Sequence, residues 1–148
     1  MKYRYKKQNV SHQEYFIQEW CYFLLKSLNK NKDTSINIKI PRIFNYNEDK
    51  KELNMQKICG DNLANIYGED IENIPINIIE TIRKFIRLLN NYLVEYIDIT
   101  GYNFMLDKSD NLWIIDFEHS KCRTKDEEIN EYLREFINGE NKWNPDFE

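Results

Sequence analysis

The chain has 148 residues, 41% hydrophobic and 31% charged, with four Gly and three Pro; that is enough for one domain with a buried core and too apolar for extensive disorder. A net charge of −4 argues against dedicated DNA binding, and the absence of a signal peptide or a membrane-length apolar run leads to the expectation of a soluble, cytoplasmic protein. Cys21, Cys59 and Cys122 have no C-x-x-C spacing and support neither a disulfide framework nor a zinc site.

Residues 1–8 alternate as a strand does, with Tyr3 and Tyr5 on one face and Lys2, Arg4 and Lys6 on the other. Ser11-x-x-Glu14 is a capping box that opens a helix running to about Leu28, with Phe16, Trp20, Phe23, Leu24 and Leu28 as its apolar face. Ile36, Ile38 and Ile40 alternate with polar residues ahead of Pro41, and residues 42–46 and 52–58 read as strands around the turn Asn47-Glu48-Asp49-Lys50. Pro75 is expected at the first position of the most regular helix, whose stripe is Ile79, Ile82, Phe85, Ile86, Leu89 and Leu93. Thr124-x-x-Glu127 is read as a second capping box before a helix that buries Ile129, Tyr132, Leu133, Phe136 and Ile137 and ends at Gly139. Trp143 and Phe147 in the tail are expected to dock on the domain, and His12 and His119 are read as surface or packing residues.

The chemistry is concentrated in residues 96–120. Phe104-Met105-Leu106, a polar turn, and Leu112-Trp113-Ile114-Ile115 form a hairpin signal. Asn103 precedes the first strand and Asp116 follows the second, so closing the hairpin brings an amide and a carboxylate to one place. Two hard oxygen ligands there suit a divalent cation that also holds phosphates. Asp98, five residues before Asn103, faces the same place and can accept a proton from an attacking hydroxyl.

D-x-x-x-x-N, a short hairpin and then I-D-F resemble, in order and spacing, the catalytic loop and metal-binding segment of the protein-kinase-like fold. Tyr96 stands where kinases carry His or Tyr. Thr100 follows Asp98 by two, as in the small atypical kinases of the KEOPS tRNA-modification complex, with which RIO-type kinases are grouped here. Ile97 replaces the usual Arg or Gly, and Glu118 the Gly of D-F-G. An Ile cannot capture an activation-loop phosphate, so control by that route is not expected. The stretch from Pro41 to Leu63, including M-Q-K-I-C-G, is similar to the interlobe hinge region of the same kinases.

The resemblance implies an α+β fold and a single kinase-like domain over residues 1–148. It divides into a reduced N-lobe at 1–58, with a few strands and one helix, and a minimal, mostly helical C-lobe at 59–148 carrying the catalytic hairpin. It further implies ATP and Mg²⁺ as cofactors, with Asp98 catalytic and Asn103 and Asp116 on the metal. Met55 would line the back of the nucleotide pocket, with Gln56 C=O and Ile58 N–H on the adenine edge. The phosphate-contacting Lys is Lys2 or Lys6 and its ion-pair partner Glu19 or Glu14, with Lys2 and Glu19 fitting the family register best. No Gly precedes Gly60, so the Gly-rich lid of the fold is absent from this chain. Three functions are consistent with these residues: an atypical serine/threonine kinase-like phosphotransferase, a pseudokinase-like binding module, or a small-molecule phosphotransferase of the aminoglycoside or choline type. The implied partners are nucleotide and either a single protein partner or a tRNA-modification-type complex.

Overall fold

The computed structural model describes residues 3–140 and 142–147. Alternation at the N-terminus produces β1 (Arg4–Lys7), which pairs antiparallel with β3 (Glu52–Gln56); β3 pairs in turn with β2 (Ile43–Asn47). β3 is thus the centre of a three-stranded sheet, and its inward residues Leu53 and Met55 join Val10 in a small apolar cluster.

Helix α1 (His12–Leu28) starts at Ser11, whose side chain accepts from the Glu14 backbone N–H at 3.1 Å. Only that half of the expected capping box forms, because the Glu14 carboxylate is drawn to Lys7 instead. The core face of α1 also differs from the expected one. Glu14, Ile17, Gln18, Cys21 and Leu25 are buried, whereas Phe16 and Phe23 are 52% and 53% exposed. Apolar residues line both sides of this helix, and the side that packs is the one whose aliphatic chains join the cluster of Ile36, Ile38 and Ile40. Those three isoleucines, which alternate with polar residues, are buried, and their segment makes an isolated bridge rather than a ladder. Lys39 N–H donates to Leu112 O at 2.8 Å and Lys39 O accepts from Ile114 N–H at 2.9 Å.

The chain leaves β3 through residues 57–59 and enters β4 (Gly60–Asn62), which leads into the short α2 (Leu63–Tyr67). β4 pairs with β6 (Phe104–Asp107), and β6 with β7 (Leu112–Ile114), so the linker is woven into the same sheet as the hairpin. This needs glycine: a Cβ on Gly60 would stand 2.0 Å from Leu106 O. Helix α3 (Ile76–Asn91) buries Ile79, Ile82, Phe85, Ile86 and Leu89 on one face. Pro75 is its N-cap rather than its first residue, and Leu93 lies beyond the helix end with a φ of 64°.

β5 (Val94–Glu95) pairs with β8 (Lys121–Cys122). The buried Glu95 meets Arg123 at 3.3 Å and Lys121 at 3.8 Å, and accepts from the Asn130 N–H at 3.0 Å. That anchor relocates the last helix. Thr124 and Glu127 close a turn, and α4 (Glu131–Ile137) begins at Asn130, whose side chain caps Leu133 N–H at 3.0 Å. Leu133 and Phe136 enter the main core, and Gly139, at φ 108°, ends the helix. Trp143 is buried and stacks on Phe104 at 6.3 Å. Among the described residues, no helix is long and apolar enough to cross a membrane.

Candidate active site

The hairpin places the polar residues. Phe104 pairs with Ile114, and Ile115 N–H donates to Asn103 O at 2.9 Å, so Asn103 and Asp116 leave the same open end. Asn103 Nδ2 donates to Asp98 O at 2.9 Å, which ties the loop of Asp98 to that end. Tyr96, fully buried, holds the loop from below: its hydroxyl donates to Ile115 O at 2.6 Å and its ring meets Phe117 edge-on at 5.3 Å. Burial, with the Asp98 and Asp116 charges next, pushes the Tyr96 phenol well above its usual range, so it remains a donor at any physiological pH.

Asp116 is a non-glycine residue in the left-handed region, at φ 60°, a conformation that costs about 1–2 kcal/mol. It is held there from two directions. The Glu118 N–H donates to Asp116 Oδ1 at 3.2 Å, and Lys7 Nζ approaches the same oxygen at 3.2 Å. Lys7 in turn donates to Glu14 at 2.5 Å, and Glu14 is 2% exposed. Burial pulls the Lys7 ammonium down, but the Glu14 bond and the Asp116 charge outweigh it and its pKa is raised. Burial pushes Glu14 up, against the pull of Lys7.

A cavity of about 310 Å³ opens beside this ion pair, within the size range of small-molecule pockets. Tyr5 and Lys7 of β1, Met55 and Gln56 of β3, Ile58, and Ile115 with Asp116 after β7 are among its walls. Gln18 fixes the back by donating to Pro41 O at 3.1 Å and to Met55 Sδ at 3.5 Å. Met55, Gln56 and Ile58 therefore stand together on the cavity that also carries Asp116.

Lys2 lies outside the described residues. Lys6 points to the other face of β1, where its Nζ is 3.9 Å from Glu52. Glu19 does not meet Lys7; it faces the Tyr15 hydroxyl, whose pKa burial first and the Glu19 charge second raise. Among the described residues, Lys7 and Lys57 line the cavity, and Lys7 is paired with Glu14; the expected pairing of Lys2 with Glu19 involves a residue outside the described ones. A signal for Lys7 was present: period-two alternation puts it on the same face as Tyr5. His119, expected to be a surface or packing residue, is half-exposed and packs on Phe147. Its Nδ1 lies 3.2 Å from Asp98 Oδ2. Burial pushes Asp98 up, the His119 bond pulls it down, and the Asp116 charge adds to the rise.

The donor set suits Mg²⁺ brought in with phosphates. Mg²⁺ takes one or two protein oxygens and completes its shell with water and phosphate. Asp116 has a second carboxylate oxygen beyond the one held by Lys7, and the Asn103 amide, with its nitrogen at Asp98, offers Oδ1. Among the described residues no group of three or more His, Cys, Asp or Glu could hold a metal ion by itself.

No model of a known protein family matches the chain. It is 34% identical over 106 residues to the dual specificity protein kinase zakA of Dictyostelium discoideum, an alignment covering 67% of this chain and 13% of that protein. Among solved structures it is similar to the Cydia pomonella granulovirus kinase PK-1, with a TM-score of 0.55 and 13% identity over 80% of this chain and 43% of that one. The fold is kinase-like, and the chain spans less than half the length of either protein.

Proposed function

We propose that this chain is an ATP- and Mg²⁺-dependent phosphotransferase of the small atypical serine/threonine kinase type. The observation that carries the reading is Lys7, which bridges Glu14 and Asp116 at the rim of the 310 Å³ cavity. A cation held against two carboxylates is set to meet a phosphate and to exchange one of those partners for it. Met55, Gln56 and Ile58 would receive the adenine. Mg²⁺, when bound with nucleotide, would spread the phosphate charge over Asp116 and Asn103. Asp98 stands where an acceptor hydroxyl would lose its proton. The D-I-T-x-x-N loop favours a place beside the KEOPS and RIO-type kinases, and with it a protein or tRNA-modification partner. The name of the Dictyostelium relative favours a protein hydroxyl as acceptor over a small molecule.

A nucleotide-binding module without transfer is the second reading, and one observation favours it: the 59 residues before Gly60 contain no glycine to form a lid over phosphates. With no such lid among these residues, the expected ATP affinity of this chain alone is ~0.1 mM or weaker.

Two aspartate variants separate the readings. Asp116→Asn should weaken Mg²⁺-dependent ATP binding, measured by calorimetry, and abolish transfer from labelled ATP with it. Asp98→Asn should leave binding nearly unchanged and slow transfer ~10²–10⁴-fold. A wild type that binds Mg²⁺–ATP and labels neither itself, water nor candidate acceptors establishes the binding module. Tight, metal-independent ATP binding contradicts the role given to Asp116.

A further inference from the structure

The sheet centred on β3 brings one aromatic side chain to the cavity and gives it nothing to pack on. Tyr5 of β1 lines the cavity and is 50% exposed. Among the described residues its ring meets no other ring and its hydroxyl makes no hydrogen bond. Tyr46 of β2, by contrast, stacks on Tyr15 at 4.6 Å and donates to Val10 O at 2.6 Å. A half-exposed ring on the wall of a cavity is a surface for a flat ligand.

Its neighbours fix which part of a ligand it would meet. Across the ladder Tyr5 is paired with Met55, which also lines the cavity. Two residues further along β1, on the same face, Lys7 reaches Asp116 at 3.2 Å. Two residues of strand span about 7 Å, so the ring stands a sugar's length from that cation. Met105 of β6 and Ile115 after β7 line the cavity from the hairpin. A planar group held between the sheet and the hairpin therefore has the Tyr5 ring on one side and a thioether and an aliphatic chain on the other, and sulfur packs well against π systems.

We propose that Tyr5 is the stacking residue for the nucleobase, laid over the base while Lys7 meets the phosphates. The assignment rests on the nucleotide-binding part of the reading above, and holds for the phosphotransferase and the binding module alike. No glycine precedes Gly60, so backbone donors of a lid do not hold the phosphates. Stacking then supplies affinity from the other end of the nucleotide, where it needs a π face and no particular pattern of base-edge donors.

The test reads binding, not activity. NMR titration with Mg²⁺–ATP, followed at the methyl groups of Met55 and Met105, reaches the weak affinities expected here. Tyr5→Ala should weaken binding ~5-fold or more, and so should Tyr5→Leu, which fills the wall without a π face. Tyr5→Phe should bind as wild type does. Mg²⁺–tripolyphosphate, which carries the charge and no base, should bind wild type and Tyr5→Ala alike, and only ATP should move the Met105 methyl by the ring current of a base. Tyr5 is half-exposed, so all three variants should unfold in urea at the wild-type midpoint; should Tyr5→Ala not fold, the contrast of Phe with Leu decides. Wild-type affinity in Tyr5→Leu, or tighter binding in Tyr5→Ala because the ring blocks the cavity, overturns the stack and leaves the nucleotide reading in place. An equal loss of tripolyphosphate binding in Tyr5→Ala overturns it too. If wild type binds no Mg²⁺–ATP, the nucleotide reading itself fails, and the role of Tyr5 with it.

Discussion

Replacing Lys7 with Met should make the stability of this protein depend steeply on pH. The substitution keeps most of the side-chain stem in the wall of the cavity and removes the charge. Glu14, 2% exposed, loses the cation 2.5 Å away, and removing one partner of a buried pair costs about 3–5 kcal/mol. The 23% exposure of Lys7 places the cost near the lower end, about 3 kcal/mol. Glu14 has an escape, because it can bind a proton. From an ordinary value of 4.5, protonation costs about 1.4 kcal/mol for each pH unit above it, which limits the loss to about 4 kcal/mol at pH 7.5 and to about 1.4 kcal/mol at pH 5.5. A carboxyl whose folded pKa is raised binds more protons folded than unfolded, so the variant loses stability as pH rises. Urea unfolding followed by the fluorescence of Trp20, Trp113 and Trp143 at the two pH values measures this. Adding Glu14→Leu to Lys7→Met should recover most of the loss at pH 7.5. An equal destabilisation at both pH values, or no recovery in the double variant, would refute the claim that Glu14 is a buried charge compensated by Lys7.

The remaining predictions concern the scaffold around the site. Gly60→Ala drives a methyl to 2.0 Å from Leu106 O, so it should cost about 3 kcal/mol and shift hydrogen exchange in β4 and β6 together; wild-type stability would show that the linker does not pair with the hairpin. Lys51 is exposed with a φ of 53°, and Lys51→Gly should raise stability by about 0.5–1 kcal/mol, or about 2–4 °C in Tm; a drop would mean that the left-handed conformation is wrong. Asp107 accepts from Ser109 N–H, Asn111 N–H and Trp113 Nε1–H at 2.8–2.9 Å. Although desolvation raises its pKa, those bonds bring it down from 3.8 to about 2. Its contribution is therefore complete above about pH 4 and disappears as pH falls towards 2, and Asp107→Asn should remove that part of the acid slope in an unfolding titration.

Local order along this chain was legible wherever one periodicity had no rival. The α3 stripe of Ile79, Ile82, Phe85, Ile86 and Leu89 is buried as the 3.6-residue repeat requires. The turn residues between Leu106 and Leu112 fix the hairpin, and through it the meeting of Asn103 with the segment of Asp116, because all of these lie within one short loop closure. Where two patterns competed, neither prevailed on local grounds. Helix α1 carries apolar residues on both sides, and its neighbours in the fold chose Ile17, Cys21 and Leu25 over Phe16 and Phe23. Thr124 and Glu127 have capping chemistry, but the helix starts where Asn130 reaches Glu95.

The site divides along the same line. The sequence by itself was enough to bring the segments of Asp98, Asn103 and Asp116 together, since their spacing and one hairpin do so. Only the tertiary structure decided that Lys7, 109 residues from Asp116, meets that carboxylate, that Glu14 is its counter-ion rather than a cap, and that His119 sits against Asp98 and Phe147. The physical reason is degeneracy. A chain with 21 Lys and Arg and 25 Asp and Glu offers hundreds of possible ion pairs of equal local merit. The choice among them is made by which strand edge and helix turn the packed core brings within 4 Å, and no short-range pattern records that.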